Sequence, residues 1–233
     1  MGINGKYSIG ILLTFVLLAG IMLYIFPIIS MITGIKSITA DSFFLSRLAI
    51  WAVLLVIFLY SCFIEKGPFL LKSEKKYSIA FYIKAVICLY LVCAIGGAFI
   101  NVLIQFLLQE KFSNKLLQLT SIFKNNYFLI IFTCLTAGIV EEFLMRGYLQ
   151  PRIEKIYKSS LLGVIISALL FGILHSTYGT IGQVVVPFFI GAIFALFYKQ
   201  YSNIKILIIC HFMFDMVSLM IMNFMDFKHL SVF

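Results

Sequence analysis

Three stretches of this sequence set ionisable side chains inside, or directly against, long apolar runs. A charge in such a place costs several kcal/mol unless it is paired or faces a wet cavity. The first stretch is Glu141-Glu142-Phe143-Leu144-Met145-Arg146, which follows the apolar residues 128–140 without a break. Glu142 and Arg146 are four apart, acid before base, so one helical face brings them together and each neutralises the other. Glu141 points about 100° away and lacks that partner. A carboxylate so placed, facing a partly dry cavity, is a candidate general base or acid. The plainer reading is that both glutamates lie at the end of a span beside Arg146, Arg152 and Lys155.

The second stretch is Phe171-Gly172-Ile173-Leu174-His175, at the end of a wholly apolar run. Phe171 and His175 are one turn apart, so the ring can wall a site around the imidazole while Gly172 admits a close helix neighbour. The third is His211-Phe212-Met213-Phe214-Asp215, inside the last apolar run. An aspartate one turn from a histidine can fix its tautomer. Taken singly, the two histidines read equally well as a structural helix-end residue and as half of a self-satisfied polar pair. Spacing links the first two stretches, because Glu141 lies 17 residues before Lys158 and His175 lies 17 after it. A helical hairpin turning at 158–160 brings both to similar depth. His211 fits less easily, since a helix starting near Ile204 sinks it only about 10 Å.

The elements that must carry these residues follow from composition. The 233 residues are 63% hydrophobic and 12% charged, with a mean hydropathy of +1.10, so the solvent is a bilayer. Each crossing needs roughly 20 apolar residues, which allows six to eight spans. Apolar runs at 8–29, 48–64, 82–108, 127–148, 160–175, 181–198 and 204–224 make seven. The expected fold is all-α, a polytopic transmembrane helical bundle. Residues 1–126 supply N-terminal helices and 127–233 the motif-bearing helices of one membrane domain. The run near Lys6 is too long for a signal peptide and is read as the first span.

The net charge of +9 does not mark a nucleic-acid binder, because Lys and Arg sit between apolar runs and no basic face interleaves with aromatics. It marks topology instead. With the N-terminus inside, eleven Lys and Arg fall on the cytoplasmic side. Six fall outside: Lys36, Arg47, Lys111, Lys115, Lys124 and Lys228. Arg146 belongs to the candidate site. The five cysteines are odd in number and lack any CxxC spacing, so they read as reduced packing residues. Cys210 adjoins His211, but adjacent helical residues diverge too far for that histidine to activate it.

In motif and order the sequence resembles the CAAX protease and bacteriocin-processing (CPBP, or Abi) family of intramembrane endopeptidases. The resemblance rests on EExxxR as Glu141, Glu142 and Arg146, FxxxH as Phe171 and His175, and an HxxxN/D-like pair as His211 and Asp215. It spans about 127–224. It implies a glutamate-dependent membrane endopeptidase of the type II CAAX prenyl protease kind, cutting a peptide near the membrane. Glu141 would activate water and His175 would help to hold it. His211 and Asp215 would stabilise the oxyanion, with Glu142 and Arg146 as the supporting pair. Bacterial relatives are tied to processing or export of peptide pheromones and bacteriocins, or to immunity.

Asp215 departs from the asparagine usual in CAAX enzymes. An ionised carboxylate cannot donate to an oxyanion, so Asp215 is either protonated or acts by orienting His211. Orientation is the reading preferred here. No cofactor is expected. The alternative is Zn²⁺ held by Glu141, His175, His211 and Asp215, although HExxH is absent. Expected partners are a peptide or protein substrate, the lipid bilayer of a bacterial plasma membrane, and a peptide exporter or sensor kinase, but no nucleic acid. The competing function is a non-catalytic immunity or scaffold protein that binds a bacteriocin, transporter or kinase. A proton-relay transporter is weaker, because no inverted repeat appears.

Overall fold

The computed structural model describes residues 2–110 and 114–224. Lys111 and Lys228, two of the charges used for topology, lie outside them. The elements are α1 (Ile3–Thr33), α2 (Ala40–Tyr60), α3 (Ile79–Leu108), α4 (Asn114–Phe123), α5 (Tyr127–Thr136), α6 (Gln150–Tyr157), α7 (Ser160–Leu174), α8 (Gly182–Tyr201) and α9 (Ile204–Phe224). No strand occurs among the described residues. Among the described residues, seven helices are long and apolar enough to cross a membrane, as expected. The chain is a multi-pass, all-helical membrane protein. All five cysteines are free; Cys93, Cys134 and Cys210 are buried as packing residues, whereas Cys62 and Cys88 are exposed.

Local chemistry sets the helix ends. Thr39 and Ser42 form a reciprocal capping box that starts α2. Ser159 accepts from the Leu162 N–H to start α7, and Lys158 adopts a left-handed conformation (φ 51°) before it. The hairpin turn therefore falls where the Glu141–His175 spacing puts it. The second span begins earlier than expected, at Ala40 rather than Leu48. Its first two turns carry Asp41, Ser42, Ser46 and Arg47, and these polar residues hide helix from a hydropathy reading. Arg47, expected in an external loop, is thus inside α2 and buried.

The fourth span is the most buried of the seven and runs from Tyr127 to Tyr157. Between α5 and α6 it widens into two π-helical stretches, Ala137–Glu141 and Phe143–Leu149. Such stretches re-aim side chains and recur at functional sites; here they hold Glu141 and Arg146, with Glu142 at the junction between them. Small residues let the neighbours approach. A Cβ on Gly138 would lie 2.9 Å from the Ile208 carbonyl oxygen of α9, and one on Gly172 would lie 2.9 Å from the Val184 carbonyl oxygen of α8. The close approach expected at Gly172 is observed.

One end of the bundle is tied shut by buried polar groups. Arg152 donates through Nε to both Glu65 oxygens at 3.0 Å, and the Tyr148 hydroxyl donates to Glu65 at 2.7 Å. Lys72 pairs with Glu154 at 2.8 Å. Asn203 donates to the Lys75 carbonyl at 2.8 Å, and the Ile204 N–H donates to Glu74 at 2.9 Å. Asn203 and Ile204 are themselves buried, so α9 begins already sunk within the protein. His211, two turns further on, lies within hydrogen-bond distance of Glu142 despite its shallow place in the helix.

Glu74 sits in a loop outside the spans. Burial raises its carboxyl above the ordinary range, opposed by the Ile204 N–H and then by Lys205. A folded-state value above the unfolded one means that stability is full below the unfolded value and falls as pH rises toward the folded one. Glu74→Gln keeps the acceptor for Ile204 and removes the charge. It is expected to raise the melting temperature at neutral pH, with the gain vanishing at acidic pH. A gain independent of pH would contradict this assignment.

Candidate active site

Glu142 is the hub of the site. Its Oε1 accepts from Arg146 Nη1 at 3.0 Å and lies 2.7 Å from His211 Nδ1. Arg146 is always charged and the carboxylate beside it accepts only, so Nδ1 of His211 carries the donated proton. Glu142 and Arg146 are essentially inaccessible. Arg146 also donates from Nη2 to the Gly191 carbonyl at 3.2 Å, and its guanidinium lies 4.7 Å from the Phe171 ring and 5.6 Å from Phe194. The expected Glu142–Arg146 pair therefore forms. Its bond to His211, 69 residues on, joins the first and third motifs.

Glu141 faces elsewhere. It lines a cavity of about 450 Å³ together with Phe171, His175, His211 and Asp215. Glu142 and Arg146 do not line this cavity; they stand behind it. Glu141 Oε2 is buried and has no hydrogen-bond partner among the described residues. The division expected from a 100° offset is thus reached through π-helical rather than α-helical backbone.

His175 ends α7 and lies 2.8 Å through Nδ1 from the Phe171 carbonyl oxygen. A carbonyl only accepts, so Nδ1 donates. In the neutral ring, Nε2 is then left as an acceptor. Phe171 packs its ring 4.7 Å from His175 and edge-on, at 6.0 Å, to His211. It walls the site as its spacing suggests.

Asp215 Oδ2 lies 3.7 Å from His211 Nε2, beyond hydrogen-bond distance. It is Glu142, rather than Asp215, that hydrogen-bonds the ring and orients it. No local pattern links positions 142 and 211, so sequence spacing offers no route to this contact. As for the zinc alternative, no three His, Cys, Asp or Glu side chains gather as a metal-binding group among the described residues.

The cavity has a direction. Its lining includes Phe43 and Arg47 near the start of α2, Phe123 at the end of α4, Tyr178 after α7, Gly182 at the start of α8, and Met222 near the end of α9. By chain parity these belong to one end of the bundle, opposite the end tied by Glu65 and Arg152. Sequence reasoning missed Arg47 and Tyr178 as cavity residues. The available signal was the buried face that Arg47 shares with Phe43, Ser46 and Ile50 at helical spacing.

A polytopic helical bundle with a buried Glu–Arg–His cluster behind a carboxylate-lined cavity defines the class as a multi-pass membrane protein with ionisable groups gathered within its spans. Residues 123–217 match the family model described as Rce1-like, Type II CAAX prenyl endopeptidase. The matched segment covers somewhat under half of the chain and holds all three motifs, so over these residues the chain is similar to that family. No curated protein and no solved structure matches the chain at a significant level.

Proposed function

We propose that this chain is a glutamate-dependent intramembrane endopeptidase that hydrolyses a peptide bond by activating water. The observation that carries the reading is the Glu141 carboxylate, with one oxygen buried and unpartnered, in a cavity shared with both histidines. Glu141 takes a proton from water as the hydroxide oxygen adds to the peptide carbonyl carbon. It then returns that proton to the amine nitrogen as the C–N bond breaks. His175 accepts the water's other hydrogen through Nε2 and holds it in line. His211, whose Nδ1 is committed to Glu142, donates to the oxyanion only when Nε2 also carries a proton. Asp215, protonated, supplies a further donor.

The charge distribution that favours an inside N-terminus turns the open end of the cavity outward. That orientation supports a role in processing, export or immunity for a peptide pheromone or bacteriocin at a bacterial plasma membrane, beside a peptide exporter or sensor kinase. The test compares the secreted peptides of cells carrying wild-type, Glu141→Ala and His175→Ala alleles at matched protein levels. Loss of one set of cleavage products in both variants is expected. Unchanged products in both would leave a binding or scaffold protein. The mechanism uses no metal, so chelation is expected to leave cleavage intact; loss that Zn²⁺ restores would overturn this.

A further inference from the structure

The cavity and a small pocket beside it are lined by two cations, Arg47 and Lys115, that form no ion pair among the described residues. Arg47 is 6% exposed and lines the cavity. Its protein contacts are a 3.3 Å bond from Nε to the Ser46 hydroxyl and the Phe43 ring, 4.6 Å from the guanidinium. No carboxylate among the described residues comes within ion-pair distance of it, whereas Arg146 and Arg152, still more deeply buried, each have one. Lys115 of α4 is the second cation. It donates to the Thr177 carbonyl at 3.0 Å and sits 5.7 Å from the Tyr178 ring, and burial lowers its ammonium below the ordinary lysine range. It also forms no ion pair with a described residue. Arg47 and Lys115 thus flank Tyr178 from two helices that lie outside the family-matched segment.

A buried guanidinium with most of its donors unused is costly unless an anion comes to it. Arg47 faces the cavity rather than the lipid, so the anion arrives with what enters the cavity. We propose that Arg47, assisted by Lys115, is a specificity residue that binds a carboxylate of the peptide substrate. That carboxylate comes from the substrate's C-terminus or from an acidic side chain close to the scissile bond. The inference rests on the endopeptidase reading for its substrate class, but its test reads binding and not turnover.

The probes are mixed-sequence, fluorescein-labelled apolar pentapeptides in three forms: free C-terminal acid, C-terminal amide, and amide with one internal glutamate. Binding is measured to the full chain in phosphatidylcholine nanodiscs and again with phosphatidylglycerol added. Wild type is expected to bind at least one carboxylate form about ten- to a hundredfold more tightly than the plain amide. Which form wins identifies the source of the carboxylate. In Arg47→Met that ratio is expected to fall to about one, and in Arg47→Lys to an intermediate value. No preference in wild type, an unchanged ratio in Arg47→Met, or affinity that follows lipid charge instead of peptide charge would each overturn the proposal. If Arg47→Met fails to fold, the wild-type ratio and its reduction in Lys115→Met decide the matter. Cleavage of the same peptides by wild type and by Glu141→Ala is followed in parallel. Absent cleavage counts against the endopeptidase reading alone, and an absent binding preference against this one alone.

Discussion

Glu141→Gln is expected to slow peptide cleavage by roughly 10²- to 10⁴-fold, the range a positioned general base supplies. Glutamine keeps the shape and the acceptor oxygen but cannot take a proton from water. The structure predisposes the experiment to a clean result, because Glu141 makes no ion pair and one of its oxygens has no partner among the described residues. Removing a charge that nothing neutralises spares its burial cost, so the variant should be at least as stable as wild type. The check is single-turnover cleavage and a melting temperature on the same detergent-purified sample. Cleavage within threefold of wild type would remove Glu141 from the mechanism.

Glu142→Ala should do the opposite, losing stability and activity together. It strands Arg146, which is 1% exposed, without its anion, and frees His211 Nδ1. Breaking a buried pair from one side costs about 3–5 kcal/mol, because an uncompensated charge stays behind. The double variant Glu142→Met with Arg146→Met removes both charges and is expected to recover much of the lost thermal stability. Activity should not return with it, since His211 has still lost the carboxylate that sets its tautomer and direction. A double variant that regains both would show that Glu142 serves packing alone. One that regains neither would show that the pair is not coupled as its 3.0 Å contact indicates.

Much of this molecule was legible before any coordinates. Seven apolar runs became seven helices, because in hydrocarbon every backbone polar group must be satisfied within its own segment and length alone then counts the crossings. The Glu142–Arg146 pair and the Phe171–His175 wall were also legible, since one helical turn is a local relation that spacing determines. The hairpin at Lys158 followed in the same way.

Other features depended on contacts between segments. The bond from Glu142 to His211 spans 69 residues, and beside it Gly138 lets the fourth span and α9 approach backbone to backbone. The proton-bearing nitrogen of His211 was decided by a partner that no local pattern names, Glu142. Arg47 was misread because hydropathy sees a charge and ends the span, whereas a capped, polar first turn buried against α4 continues it. The sequence by itself therefore determined the carboxylates and histidines of the apolar layer and which carboxylate had a partner four residues on. Only the tertiary structure decided that Glu142 stands behind the cavity holding His211, that Glu141 faces into it, and that Arg47, without an ion-pair partner among the described residues, lines it. Spacing along one helix is fixed by 3.6 residues per turn, but which helices meet is fixed by packing.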